Sequence, residues 1–309
     1  MTQFVVALDL GGTKLDGALV SHAGDVVAGS RTRVPTGRTL SADALTAALA
    51  QVVSRAAAAA NGAPITGIGI GAPGPIASDG TLASVNLPGV HGFHLETELS
   101  RIAEEVLGTA VPVKSGHDAG CLALGEATFG VAREAAAMIG VVVSTGVGCG
   151  IVIDGNLVRG TTGNAGHIGQ MRDESGVTVE EVAAGPHAVA WARERGFSGT
   201  TGHELGAAYA AGDAIAQQAV ERSARAVGRA LSNVATLLDV DAIVIGGGFS
   251  HVATDYLERV RAAIRDSSVL AYARDVAVMV PSLQGEGAIK GAAALALSQT
   301  ARNVAETAA

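Results

Sequence analysis

Aromatic residues make up only 3% of this 309-residue chain, and Cys121 and Cys149 are its only cysteines. The first scarcity means that a core must be assembled from Val, Ala, Leu and Ile. The second excludes a disulfide framework and a structural zinc built from this chain's own thiols. Basic residues are outnumbered, 21 Lys and Arg against 29 Asp and Glu, for a formal charge of -8. No Lys/Arg block occurs, which argues against nucleic acid or an anionic membrane as partner. Apolar runs of membrane-spanning length are also missing, as is a basic, cleavable segment after Met1, so the sequence reads as a soluble cytoplasmic protein. What is abundant is apolar aliphatic residue: at 48% hydrophobic, the chain can fill one large or two medium domains.

The spacing predicts consecutive strands at Phe4–Leu10, Leu15–Val20 and Val26–Val34, forming an antiparallel start. A helix capped by Ser41 and a buried strand Ile65–Gly71 follow. Residues 72–92 are rich in Gly and Pro and lack periodicity, as expected of a functional loop. His94–Leu107 is amphipathic, Val111–Lys114 is strand-like, and Asp118 opens a helix running to about Phe129. In the second half, strands are expected at Met138–Val143, Cys149–Asp154, Ala242–Ile245 and Val276–Val280. Helices are expected at Glu180–Arg195, Asp213–Leu238 and Glu286 to about Arg302. Both halves open with a strand, a Gly-rich turn and a returning strand, DLGGTKLDGALV and STGVGCGIVIDG, so the chain reads as a duplicated α/β lobe with a nucleotide between the copies.

The two turns carry the chemistry. Asp9 stands at a strand end, where its carboxylate can hold a water of a hydrated Mg²⁺ while the Gly11, Gly12 and Thr13 amides approach phosphate oxygens. The bland alternative is a turn-forming Asp before Gly-Gly. Lys14 either adds charge there or is solvated. The pattern is neither a Walker A loop nor a dinucleotide fingerprint, because a strand follows where those need Gly-Lys-Ser/Thr or a helix. The second turn offers the Thr145 hydroxyl and successive amides as an anion nest. Gly246–Gly248 after a buried strand suits close approach to a flat adenosine. Asp118, at a strand end, is the general-base candidate, with a helix-capping role as the alternative. His117 can meet a substrate hydroxyl or only the loop, and His167 lies in the Gly-rich GNAGHIG segment. Glu180 is either an N-terminal helix acid or a hydroxyl acceptor. Asn86 is a polyol ligand or an Asx turn. Cys149 follows the second turn closely, so its oxidation would block nucleotide.

Taken together, DLGGTK, GIGIGAPGPI at Gly67–Ile76, NLPG at Asn86–Gly89, HDAG at His117–Gly120 and STGVGCGIVIDGNLVRGTTGNAGHIG at Ser144–Gly169 resemble the ROK family of bacterial repressors, open reading frames and sugar kinases. That family lies within the actin-like ATPase and hexokinase superfamily, and the likeness covers essentially the whole chain. It implies a two-lobed α/β actin-like ATPase (ribonuclease H-like) fold with the active site in the interlobe cleft. The implied lobes are 1–117, joined by the C-terminal helix 291–309, and 118–290. It implies an ATP- and Mg²⁺-dependent kinase acting on the primary hydroxyl of a hexose, and a homodimer. By resemblance Asp118 is the catalytic base; Asp9, Gly11, Gly12, Thr13 and Lys14, with Thr145, Gly146, Gly148 and Gly247, hold the nucleotide. Gly74, Asn86, His117, Asp118, Asn164, His167 and Glu180 contact the acceptor.

Two departures bear on specificity. His117 replaces the family's usual Asn before the base, and Asn164 replaces its usual Glu, so plain glucose specificity is in doubt. A modified hexose such as the aminosugar kanosamine, or a C7-cyclitol, is favoured over glucose and over an N-acylhexosamine. The third departure removes the family's zinc cysteines: Ile168–Val179 contains none, and His167 alone cannot make a tetrahedral site, so no zinc is expected. A sugar-sensing regulator is the main rival class; those relatives carry a helix-turn-helix ahead of the phosphate motif, which here starts at Asp9.

Overall fold

The structure, a computed structural model, describes residues 2–307 apart from 78, 79, 85 and 86. The chain forms two compact units: unit 1 holds residues through Arg133, Gly155–Ala165 and those from Ser282, and unit 2 holds Glu134–Asp154 and Gly166–Pro281. In chain order, unit 1 begins with β1 (Phe4–Leu10), β2 (Lys14–Ser21), β3 (Thr32–Pro35), α1 (Ala42–Ala59), β4 (Ile65–Ala72), α2 (Leu95–Leu107), β5 (Val113–His117) and α3 (Asp118–Thr128). Strands β6 (Ala137–Val143) and β7 (Val147–Ile153) belong to unit 2, and the two-residue β8 (Asn156–Leu157) to unit 1. Unit 2 continues with α4 (Val179–Ala183), α5 (Gly185–Arg193), α6 (Gly202–Ala210), α7 (Ala214–Leu238), β9 (Ala242–Gly246), α8 (Tyr256–Ser267), α9 (Ala271–Arg274) and β10 (Ala277–Met279). Helix α10 (Gly287–Thr307) returns to unit 1.

The unit 1 sheet has the order β3-β2-β1-β4-β5, antiparallel at β1/β2 and β2/β3 and parallel at β1/β4 and β4/β5. In unit 2 the order β10-β9-β6-β7 repeats that plan, an antiparallel hairpin followed by two parallel neighbours. Strands covered on both faces read as continuous apolar runs, which is why β1 and β6 show no alternation. One cluster gathers Leu8, Leu19, Leu45, Leu49, Ile70 and Leu99; the other gathers Val141, Ile243, Ile245, Leu231 and Tyr256. Each such fully buried aliphatic side chain contributes roughly 1.5–3 kcal/mol. Helix α1 starts where Ser41 accepts from Ala44 N–H. Its apolar face, Leu45, Leu49, Val52 and Val53, then meets the sheet.

On the opposite side, α10 packs against β4 and α3 at backbone distance. A Cβ at Gly291 would fall 1.6 Å from the Cys121 carbonyl oxygen, so only glycine permits that approach. Buried Glu126 adds a polar tie: its carboxylate accepts from Val131 N–H, Leu283 N–H and the Ser282 hydroxyl. These contacts keep α3 in unit 1, so the chain leaves that unit after Arg133, re-enters it for Gly155–Ala165 and returns to it from Ser282, whereas the sequence places the change at 117/118.

Two expected elements are cut short. The strand expected over Val26–Val34 is confined to Thr32–Pro35, plus a bridge from Val20 to Val26, because Gly29-Ser30 turns the chain. The helix expected over Glu180–Arg195 is α4 and α5, separated by an extended Ala184. Pro186 cannot continue α4, lacking an N–H and clashing one turn back, so the helix restarts. Among the described residues, no helix is long and apolar enough to cross a membrane.

Candidate active site

Unit 1 brings Asp9 and Asp118 to the same edge of its sheet. Asp9 pairs in register with Gly71 of β4, and Gly71 with Gly116 of β5, one residue before His117 and two before Asp118. With parallel neighbours about 4.8 Å apart, the Asp9 backbone and the end of β5 are separated by roughly 10 Å. Burial, then repulsion from Asp118, pushes the Asp9 carboxyl up to about 6, with Lys14 and Arg31 pulling the other way. A carboxylate whose ionisation is opposed by burial and by a second acidic residue suits a site that receives a cation, and the Asp9 carboxylate fits a hydrated Mg²⁺ held through water. The turn after Asp9 is closed by Gly11 N–H donating to Lys14 O at 2.8 Å. Thr36 then fixes it from the carbonyl side, its hydroxyl donating to Gly11 O (2.7 Å) and its N–H to Thr13 O (3.0 Å).

Lys14 points to buried Asp16 (3.7 Å), opposite Asp9 in the hairpin. Asp16 also takes a bidentate bond from Arg31 and one from Arg33 (2.9 Å). Burial alone would raise Asp16; the two guanidiniums outweigh it and hold the carboxyl below its ordinary range. Asp16, Arg31 and Arg33 escape a reading that follows the glycines; the signal was an acidic residue opposite Asp9, with two arginines spaced for the next strand.

Asp118 is exposed at the first turn of α3, its Oδ1 accepting from Ala119 N–H at 2.7 Å. The capping role falls to His117, whose Nδ1 accepts from Gly120 N–H at 3.0 Å. Because Nδ1 is the acceptor, Nε2 carries the hydrogen in the neutral ring. His117 is 6% exposed. Asn164 is anchored in unit 1: its Oδ1 accepts from Ile76 N–H (2.9 Å) and its Nδ2 donates to Ile76 O (2.7 Å). That side chain mimics a strand pairing and holds the segment just after Gly74, which is half-buried and joined to Pro75 by a cis peptide bond. Asn86 lies outside the described residues.

In unit 2 the Ser144-Thr145-Gly146 turn joins β6 to β7 and is closed by Ser144 N–H donating to Gly146 O at 2.9 Å. Thr145 is exposed at its tip, and Gly148 is half-buried in β7. The break before Pro186 lets Gly185 N–H donate to Ser144 O at 2.8 Å, so α5 buttresses the turn. Glu180 is bonded to the same turn: its Oε2 accepts from Val147 N–H (2.9 Å) and its Oε1 from Gln170 (3.4 Å). A Cβ at Gly146 would lie 2.6 Å from Glu180 Oε2. Gly247 adopts φ +98°, and a Cβ there would lie 2.5 Å from Val143 O. Both demands select glycine.

Beside that turn lies a cavity of about 660 Å³, lined by Ser144, Thr145, Pro186, Thr201, Phe249 and His251 among others. Its volume and mixed lining suit a nucleoside. Gly248 lines it, next to Gly247. Thr200, Thr201 and His203 also line it and were not foreseen, although Thr201 and Glu204 form a capping box legible as T-x-x-E. His167 is exposed and opens a short 3₁₀ turn, Ile168–Gln170, in unit 2. Beyond it Asp173 gathers Ser175 N–H, the Ser175 hydroxyl and Val177 N–H on Oδ1. Among the described residues, no three His, Cys, Asp or Glu side chains assemble as a metal site. Cys149 is buried, and burial pushes its thiol up to about 12. The expectation that its oxidation blocks nucleotide is therefore corrected, since a thiol without thiolate character resists oxidation.

The fold has known counterparts. The N-acetylmannosamine kinase of Escherichia fergusonii is 30% identical over 298 residues, covering 91% of this chain and 98% of that protein. The ROK hexokinase of Thermus thermophilus superposes with a TM-score of 0.82 at 30% identity, over 97% of this chain and 99% of the other. A ROK glucokinase from Streptomyces griseus, solved with glucose and AMPPNP, gives 0.75 at 26% identity over 96% and 99%. The ROK family profile matches residues 5–299, and the chain belongs to the ROK family, with its actin-like α/β fold.

Proposed function

We propose that this ATP-dependent carbohydrate kinase transfers the γ-phosphoryl group of ATP to the primary hydroxyl of a hexose-like acceptor, with Asp118 as the base. The observation that carries the reading is the paired strand ends of unit 1, where Asp9 and Asp118 share one sheet edge closely enough for Asp118 to oppose the ionisation of Asp9. In unit 2 the cavity takes the adenosine, and the Ser144–Val147 turn, held by Gly185 and Glu180, takes the phosphates. Asp9 would hold a hydrated Mg²⁺ through water, and that ion would supply neutralisation of phosphate charge. The acceptor oxygen bonds to the γ-phosphorus as the bond to the β-phosphate oxygen breaks; ADP leaves with that electron pair, and the hydroxyl proton passes late to Asp118. The main contribution of Asp118 is therefore alignment: with Oδ1 engaged by Ala119 N–H, Oδ2 would receive the hydroxyl.

For the acceptor, the reading favours an altered hydroxyl pattern, an aminosugar or a C7-cyclitol, over glucose. Asn164 supports this: where the family's Glu would accept from sugar hydroxyls, the amide is engaged with Ile76. His117 then becomes the acceptor-side residue, offering an Nε2–H donor. Gly74, His167 and Glu180 complete the proposed acceptor set, Glu180 doubling as a brace for the phosphate turn. A second reading, an N-acylhexosamine, is supported by the N-acetylmannosamine kinase likeness. A cytoplasmic homodimer, as is usual of the family, is part of the proposal.

The test is Asp118→Asn. Turnover with the best acceptor should fall by about 10²–10⁴-fold while the dissociation constant for ATP stays within about twofold. Turnover equal to that of the parent enzyme would remove Asp118 from the mechanism.

A further inference from the structure

A second cavity of unit 2, about 570 Å³, lies away from the Ser144–Val147 turn and has a different character. Helix α7 lines it with Arg222, Arg225 and Arg229, spaced three and four residues apart and so on one stripe, and Arg172 lines it from the segment before α4. The two carboxylates in the lining are already engaged. Asp173 accepts three bonds from Ser175 and Val177. Glu221 pairs with Arg259 at 2.6 Å. Four guanidiniums and two carboxylates therefore line the cavity, an excess of basic groups in a protein that is acidic as a whole; Asp173 still acts electrostatically on Arg222 and Arg229, and Arg172 donates to Gly176 O.

Trp191 also lines the cavity and gathers two guanidiniums at its ring, an attractive contact. The Arg195 guanidinium lies 3.9 Å from its ring centre and that of Arg222 lies 5.5 Å away. Burial, and then the neighbouring Arg195, pull the Arg222 guanidinium below its ordinary range. Positive charge gathered in a partly closed space is relieved by an anion, and planar guanidinium forks match phosphate oxygens. Arg222 also reaches back to the catalytic machinery, donating to Val182 O at 3.2 Å. Val182 is in α4, the helix whose Glu180 accepts from Val147 N–H at the phosphate turn.

We propose that this arginine-lined cavity binds a phosphate monoester dianion, and that its occupancy alters phosphoryl transfer through Arg222, α4 and Glu180. The coupling rests on the kinase reading; the binding does not. Inorganic phosphate, a sugar phosphate and a nucleotide share the chemistry the cavity would recognise.

Trp191 is the only tryptophan in the chain, so its fluorescence reports on this cavity. The experiment titrates the full-length protein, saturated with AMPPNP to fill the nucleotide cavity, with inorganic phosphate, with glucose 6-phosphate and with ADP in separate arms. A saturable change in Trp191 emission is expected, and the arm with the highest affinity identifies the source. Arg225→Gln/Arg229→Gln, at two exposed positions, should weaken that binding by about tenfold or more and leave basal turnover unchanged. Arg225→Lys/Arg229→Lys, which keeps the charge and loses the forks, should fall between. Absence of a saturable response at millimolar phosphate ester, or equal affinity in the double glutamine variant, overturns the site. Saturable binding that leaves kcat and KM unmoved overturns the coupling. Because the fluorescence readout needs no turnover, either failure is distinguishable from failure of the kinase assignment.

Discussion

At Asp9 the sheet holds a carboxylate where ionisation is opposed by burial and by Asp118. The folded protein binds the Asp9 proton more tightly than the unfolded chain, so this group's stabilisation is full below the ordinary value of 3.8 and is lost as pH rises through about 6. The nucleotide-free protein should therefore lose thermal stability across that interval. Asp9→Asn should flatten the dependence and raise Tm at pH 7.5 while lowering turnover. Thermal unfolding from pH 4.5 to 7.5 measures this; an Asp9→Asn profile parallel to that of the parent would contradict it. His117 makes a second residue-scale test. His117→Asn with Asn164→Glu should shift kcat/KM toward glucose, and an unaltered preference profile would move specificity to residues 72–92. Of the two, Asn164 was the less legible. Its residue type suggests a hydroxyl ligand, whereas the pairing with Ile76, 88 positions away, is a tertiary contact that local pattern does not encode.

Among the elements, α3 is tied into unit 1 by one carboxylate, that of Glu126. Removing the Glu126 side chain leaves Val131 N–H, Leu283 N–H and the Ser282 hydroxyl, all partly open to water, without their protein acceptor. Glu126→Ala should thus cost about 2 kcal/mol in chemical denaturation, less than three buried orphan donors would; a change below about 0.5 kcal/mol would show that α3 does not need this tie. In unit 2, Gly247→Ala places a methyl group against Val143 O and forces an unfavourable φ. ATP affinity should fall by about tenfold or more with acceptor KM little changed. The strands and long helices were legible because β1, β6, α2 and α7 show unbroken apolar or 3.6-residue patterns. The α4–α5 break was legible in Pro186 and was overridden by the apolar periodicity around it. Helix α6 announced itself only through the Thr201/Glu204 capping box, its interior being Ala- and Gly-rich.

Across the whole molecule, the repeated hairpin-plus-parallel-strand plan was readable in the two Gly-rich turns, since a tight strand-to-strand turn needs small residues in either copy. What sequence did not reveal is which polar groups are engaged with the protein itself: Asn164 with Ile76, Glu180 with Val147 and Asp16 with Arg31 and Arg33. Acceptor identity depends on those engagements, so it is the property that needs measurement. The direct measurement is kcat/KM for ATP-dependent phosphorylation of glucose, mannose, N-acetylated hexosamines, 3-amino-3-deoxyglucose and C7-cyclitols, with the phosphate located by NMR. The account predicts phosphorylation at a primary hydroxyl, with an aminosugar or a cyclitol exceeding glucose by about tenfold, of the order set by one or two hydrogen bonds. Turnover of glucose above every modified acceptor would contradict the specificity, and no acceptor-dependent ADP release across the panel would contradict the kinase assignment itself.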